Sequence, residues 1–330
     1  MALGIGHAKL LLFGEHSAVY GSPALGISLP LRLSVEIDSR SKGGVQLRGI
    51  ATEEVSEIHS FISYVRDRAL TPTFPHSCSV AVESNIPRSV GLGSSAALCA
   101  AVAMALSPTL SRLSTDLWRN ADMLERYFHG TTSGIDTGLA LSEGVSAFYP
   151  TPNDVPRSSR LHRTTATILV GTTARSQSTK ELVTAVRNRV ESGDSTVTRG
   201  VEVLGAIAQA AIDRCDAGIG DAQGIGDLAD RAHAILSGLG LGSLLLDRLI
   251  NLGKNSGALG GKLSGAGGGG AFFLVFKGVT AACQCHSEMI RVIERENLPA
   301  RLHGVFEVKG GRIVDRSSDR SRAMSRDSQS

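Results

Sequence analysis

Apolar and polar residues alternate at Leu33, Val35 and Ile37, and again at Cys78, Val80 and Val82. That period of two is the mark of half-buried strands. Between them Val55, Ile58, Phe61, Ile62 and Val65 recur at helical spacing. From Ser94 to Leu106 the run SSAALCAAVAMAL is rich in helix formers and follows a pair of glycines, so a helix is predicted from Ser94. ATILVG at 166–171 reads as a strand, and Ser178 with Glu181 forms a capping box for a helix that carries Leu182, Val183, Val186 and Val190. About three more helical patterns run to about residue 256. AFFLVF reads as a buried strand, 279–296 as a helix, and LHGVFEV with GRIVD as a closing hairpin. The stretch 150–163, PTPNDVPRSSRLHR, is polar and holds three prolines, which marks it as a boundary between lobes. The pattern as a whole is α+β in two lobes.

Length supports two lobes, because 330 residues exceed what a single core usually organises. Apolar residues at 42% provide a core, while aromatics at 4% and 38 glycines point to aliphatic packing and loops where backbone comes close to something. The net charge is +3, of which the last fifteen residues, RSSDRSRAMSRDSQS, carry +2. With no dense basic face, nucleic acid is not an expected partner, and the tail 316–330 reads as a disordered Ser/Arg segment. Five cysteines without CxxC or zinc spacing read as reduced thiols, no stretch reaches membrane-spanning length, and a cytosolic location is expected.

The candidate chemistry lies in four segments. Gly91, Leu92, Gly93, Ser94, Ser95 and Ala96 open a helix, where backbone N–H groups and the helix dipole converge and can hold phosphate. Taken alone, this tract admits a phosphate loop, a dinucleotide turn of the G-x-G-x-x-A kind, or a simple Gly-rich helix entry. Lys262-Leu263-Ser264-Gly265-Ala266-Gly267-Gly268-Gly269-Gly270 precedes a strand and suits an anion-cradling nest or a hinge. Near the N-terminus, GHAKLLLFGEHSAVYG delivers Lys9, Glu15 and His16 to the ends of an apolar run. In LERYFHGTTSGIDTG, Gly130 and Gly134 break a helix before Asp136, a plausible acid or base and equally a helix cap.

These four segments, in this order, resemble the galactokinase, homoserine kinase, mevalonate kinase and phosphomevalonate kinase family from about residue 5 to about residue 310. GEHSAVYG, GISLPLRLSVEI, the HG-x-x-SG-x-D pattern at 129–136 and STKELVTAVRNRV at 178–190 are similar to its mevalonate kinase branch, and Ala18 stands where galactokinases carry a sugar-binding Asp. The resemblance implies a ribosomal-protein-S5-like N-terminal domain over 1–160 and a ferredoxin-like C-terminal domain with extra helices over 161–315. It implies ATP- and Mg²⁺-dependent phosphorylation of mevalonate in isoprenoid formation, with a homodimer as one possible assembly.

By the same resemblance, Gly91, Leu92, Gly93, Ser94, Ser95 and Ala96 would wrap the ATP phosphates, and Ser95 and Glu125 would hold Mg²⁺. Asp136 would take the acceptor's proton, with Lys9 lowering the pKa of that hydroxyl. Glu15, His16 and Thr179 would line the acceptor site, and Gly265, Ala266, Gly267 and Gly268 would close over it. Three positions differ from the family pattern: His7 replaces the usual Pro, Thr131-Thr132 replaces Asn-Pro, and Gln177 stands where animal members have an Arg. A carboxylate-bearing acceptor needs a cation there, and Arg175 is the candidate substitute.

Overall fold

The computed structural model describes residues 1–39, 45–48, 50, 55–67, 78–87, 90–112, 114–218 and 222–317. The tail expected to be disordered lies, from residue 318 on, outside the described residues, as do Arg88 and Ser89 ahead of the first glycine tract.

Strands β1 (Ala2–Phe13) and β2 (Ala24–Asp38) form a long antiparallel pair and the spine of the first sheet. One half of β2 pairs with β4 (Ser79–Ser84) and the other with β5 (Gly144–Thr151). The edges are β3 (Val45–Arg48), parallel to β4, and β6 (Asp154–Arg160), antiparallel to β5. The alternation at Leu33, Val35 and Ile37 places all three in the core, and the helical spacing from Val55 becomes α1 (Val55–Asp67).

The polar stretch 150–163 corrects the sequence reading in one respect: it contains β6 rather than only a connection. An edge strand bonds on one side only, so it tolerates the missing N–H of Pro156 and exposes polar side chains. Arg119 fastens it, donating to both Asp154 oxygens at 2.9 and 2.7 Å.

Helix α2 (Ser94–Leu106) lies against β1 at unusually short range. Gly4 and Gly6 make this possible, because a Cβ there would sit 1.8 Å from Ala101 O and 2.0 Å from Ala97 O. Alanines on the helix and glycines on the strand therefore bring the start of α2 beside the middle of β1. The Lys9 N–H donates to Leu92 O at 2.9 Å and fixes the glycine tract to that strand. Helices α3 (Thr115–His129) and α4 (Ile135–Leu141) complete the layer.

The second sheet runs β11 (Arg312–Asp315), β10 (Ala300–Lys309), β7 (Thr165–Thr173), β9 (Gly270–Phe276), β8 (Gly260–Leu263), antiparallel throughout. Helices α5 (Thr179–Glu191), α6 (Ser195–Ala217), α7 (Ala222–Gly238), α8 (Leu244–Asn255) and α9 (Val279–Arg295) accompany it. The capping box foreseen for Ser178 and Glu181 is present at the start of α5. All five cysteines are buried, none in a disulfide. Phe13 of the first sheet meets Phe273 of the second edge-on at 6.4 Å, so one aliphatic and aromatic core joins the two. The α+β class is the one the pattern predicted, and the structure builds it on two sheets.

Candidate active site

Four chain segments meet where the first sheet faces the loops of the second. The start of α2 is capped by Gly93 in a left-handed conformation (φ 76°), with no side chain satisfying the first N–H groups. A Cβ on Gly93 would lie 2.5 Å from Lys9 Cγ, so the residue must be glycine for Lys9 to pass beneath the helix entry. The uncapped N–H groups are free to bind an anion.

Lys9 reaches across to Asp136, with Nζ 3.0 Å from Oδ1. Asp136 lies in the first turn of α4, whose N-cap is Gly134, and makes no cap of its own. The Asp136 side chain is 40% exposed while that of Lys9 is 7% exposed, so the carboxylate faces the open site and the ammonium is held from behind.

Glu125 is buried one turn before the end of α3, and its Oε1 accepts no hydrogen bond. Burial pushes its carboxyl well above the usual range; the Asp136 charge adds to this and Lys9 opposes it. His129 stands between it and the start of α2, with Nε2 3.9 Å from Glu125 Oε1 and 3.2 Å from Ser95 Oγ. Burial also lowers the His129 pKa. A buried carboxylate oxygen that accepts no hydrogen bond, with a serine hydroxyl on the other side of His129, supplies the hard oxygen donors that a divalent cation takes. Among the described residues no group of three or more His, Cys, Asp and Glu could hold a metal.

The second glycine tract arrives from β8. Gly265, Gly267, Gly268, Gly269 and Gly270 all have positive φ, between 67° and 104°, a path that residues with side chains rarely follow. Ser176 pins this loop from the β7–α5 connection, its N–H and Oγ both donating to Gly268 O, at 2.9 and 3.0 Å.

Arg175, in the same connection, packs between the two glycine tracts. A Cβ on Gly91 would fall 2.9 Å from its Nη2, and one on Gly270 would fall 2.6 Å from its Nε. Its Nη1 donates to Thr179 Oγ1 at 3.1 Å, its Nε is buried without a partner, and it feels the charge of Asp136. Gln177 by contrast is exposed.

Glu15 and His16 turn inward rather than toward open space. His16 Nε2 pairs with Ala266 O at 3.0 Å, and Glu15, 3% exposed, meets the ammonium of Lys262 at 2.5 Å. Lys262 is the functional candidate that the sequence reading passed over. Its signal was faint: a lysine next to Leu263 in a strand that otherwise reads apolar, with a partner 247 positions away.

The chain matches the N-terminal domain model of the GHMP kinases over residues 57–144 and the C-terminal model over 208–289. It belongs to the GHMP kinase family and is an ATP-dependent kinase of that class. The curated relatives it matches include the mevalonate kinase of Aeropyrum pernix, 31% identical and covering 82% of this chain and 86% of that protein. The mevalonate kinase of Pyrococcus abyssi is 29% identical over 84% of this chain and 89% of its own length. Among solved structures, the L. major mevalonate kinase in complex with R-mevalonate superposes with a TM-score of 0.76 at 20% identity, covering 94% of this chain and 96% of that one. The Lactococcus lactis galactokinase in complex with galactose gives 0.70 at 19% identity over 95% of each chain, so the likeness in fold extends beyond one acceptor.

Proposed function

We propose that this chain transfers the γ-phosphate of ATP to the primary hydroxyl of mevalonate, giving 5-phosphomevalonate and ADP. The observation that carries the proposal is the Lys9–Asp136 pair, 3.0 Å apart, set beside an uncapped helix start and a buried glutamate whose Oε1 accepts no hydrogen bond. The mevalonate kinase relatives, matched over more than four-fifths of the chain, supply the acceptor.

In this reading the acceptor oxygen attacks the γ-phosphorus as its proton passes to Asp136 Oδ1, and the bond to the ADP oxygen breaks. Lys9 steadies the alkoxide character that develops on the acceptor. Gly91, Leu92, Gly93, Ser94, Ser95 and Ala96 present backbone N–H groups to the phosphates, whose negative charge suits the helix start. Ser95 and Glu125 would hold Mg²⁺, which when bound neutralises phosphate charge. Thr179 and the loop 265–268 border the acceptor side, with Arg175 as the cation for the acceptor's carboxylate. Phosphoryl transfer asks the protein chiefly for such positioning and charge.

The reading includes a division at residues 160/161 and work in the aqueous cytosol as a step of isoprenoid formation. No helix among the described residues is long and apolar enough to cross a membrane, which is compatible with that location. An acceptor panel tests the substrate. Mevalonate should release ADP in a Mg²⁺-dependent assay, while galactose, homoserine and phosphomevalonate should not. Equal turnover of phosphomevalonate would reassign the enzyme within its family, and ATP binding without turnover of any alcohol would make it a nucleotide-binding protein.

A further inference from the structure

Lys262 is 0% exposed. Its Nζ lies 2.5 Å from Glu15 Oε1 and 2.6 Å from Leu263 O, and it sits over the rings of Phe13 and Phe273 at 5.7 and 5.4 Å. Burial pushes the Glu15 carboxyl up and the Lys262 ammonium down, and each partner offsets the other's shift. Removing two charges from water is costly, and apolar residues of similar volume would fill the same space at no loss of stability. What an apolar pair could not do is fix the two segments at one relative position.

Those segments are the two that flank the reaction. Glu15 follows Gly14 in the turn after β1, the strand that carries Lys9, and the next residue, His16, holds a left-handed φ of 59°. Lys262 stands at the entry to the second glycine tract. Besides the ion pair, two hydrogen bonds join the same two stretches: Ser264 Oγ donates to Leu11 O at 2.8 Å, and His16 Nε2 pairs with Ala266 O at 3.0 Å. A loop of five left-handed glycines has little stiffness of its own. Its position must come from outside.

We propose that Lys262 is a positioning residue: paired with Glu15 inside the protein, it seats the 264–270 loop against the end of β1 and so holds that loop in register with Lys9 and Asp136. The proposal rests on the phosphoryl-transfer reading and gives Glu15 a role behind the acceptor site rather than in it.

The test replaces both charges together, Glu15→Met with Lys262→Met, because either change alone strands a buried charge and can unfold the protein. The double variant should melt close to wild type yet lose about 10²-fold in kcat, the scale of a misplacement of about 1 Å, while its KM for ATP changes little. Its amides at 265–268 should exchange hydrogen faster than in wild type. A purely structural pair predicts the opposite: stability, kcat and exchange all recover together, and that result overturns the proposal. Should the double variant not fold, Ser264→Ala removes one of the same ties in an otherwise intact chain. It should lower kcat by about tenfold at an unchanged melting temperature, where one such step is about 1.4 kcal/mol of transition-state stabilisation, and wild-type kcat there overturns the proposal. If wild-type protein fails to phosphorylate mevalonate, the substrate reading fails separately, and the loop's exchange rates still decide the role of Lys262.

Discussion

Lys9 Nζ and Asp136 Oδ1 lie 3.0 Å apart, one side chain rising from the middle of a strand and the other from the first turn of a short helix. The strand is rigid, and the helix is held by Gly134, whose positive φ of 73° turns the chain sharply into it. Neither residue needs to move to meet the other.

Asp136→Asn keeps the shape of this pair and removes the proposed proton acceptor. The expected loss in kcat is about 10²–10⁴-fold, the usual worth of general base catalysis, with nucleotide binding retained by calorimetry. Near-normal turnover would show that the acceptor proton leaves by another route.

Glu125→Gln should have opposite effects on stability and activity. A buried carboxylate that accepts no hydrogen bond at Oε1 destabilises the unliganded fold, so the variant should melt above wild type when Mg²⁺ and ATP are absent. Its activity should fall by at least about 10²-fold, as expected when transition-state charge loses a stabilising partner. A lower melting point in the variant would mean the carboxylate is satisfied in the free protein.

Arg175 can be probed by Arg175→Ala and Arg175→Lys. The alanine variant should lose about 10²-fold or more in kcat/KM for the acceptor. Lysine should restore little of it, because a single ammonium cannot span Thr179 and both glycine tracts as the fork does. Recovery by lysine to within a few-fold would reduce Arg175 to a general positive charge.

Gly6→Ala tests the close contact of α2 with β1. A Cβ placed 2.0 Å from Ala97 O forces helix and strand apart, at a cost of about 1–3 kcal/mol and a lowered melting temperature. Activity should fall as well, since the same contact sets the distance from Ser95 to Lys9. Unchanged stability would contradict the packing described.

His303 gives a pH dependence of stability. Burial, helped by the Arg301 charge, lowers its pKa to about 4, and Nε2 lies 2.7 Å from Thr172 Oγ1. The unfolded chain, with an ordinary histidine pKa near 6.5, binds this proton first as pH falls. The contribution to stability is therefore whole above about pH 6.5 and is lost as pH drops toward 4, by at most about 1.4 kcal/mol per pH unit. His303→Gln should flatten that part of a melting-temperature profile, and an unaltered acid limb would assign the loss to other groups.

Much of this was legible in the chain itself. The period-two run at Leu33, Val35 and Ile37, the helix from Ser94 and the box at Ser178 and Glu181 depend on neighbours within a few positions, and each appears as expected. β6 was less legible, because an edge strand with Pro156 in it carries the same polar, proline-containing signature as a connection.

For the site, the sequence by itself named the candidate groups. Glycines mark where backbone must take left-handed turns, and Lys9, Ser95, Glu125 and Asp136 stand in the order of the family that the chain resembles, so the kinase class followed from that resemblance. The tertiary structure alone decided how these groups are held. Arg175 lodges between two glycine tracts, His129 stands between Glu125 and Ser95, and Lys262 finds Glu15 across 247 residues of chain. No local rule fixes such partners: a side chain's periodicity encodes whether it is buried, whereas the charge it meets there is set only when the two sheets pack.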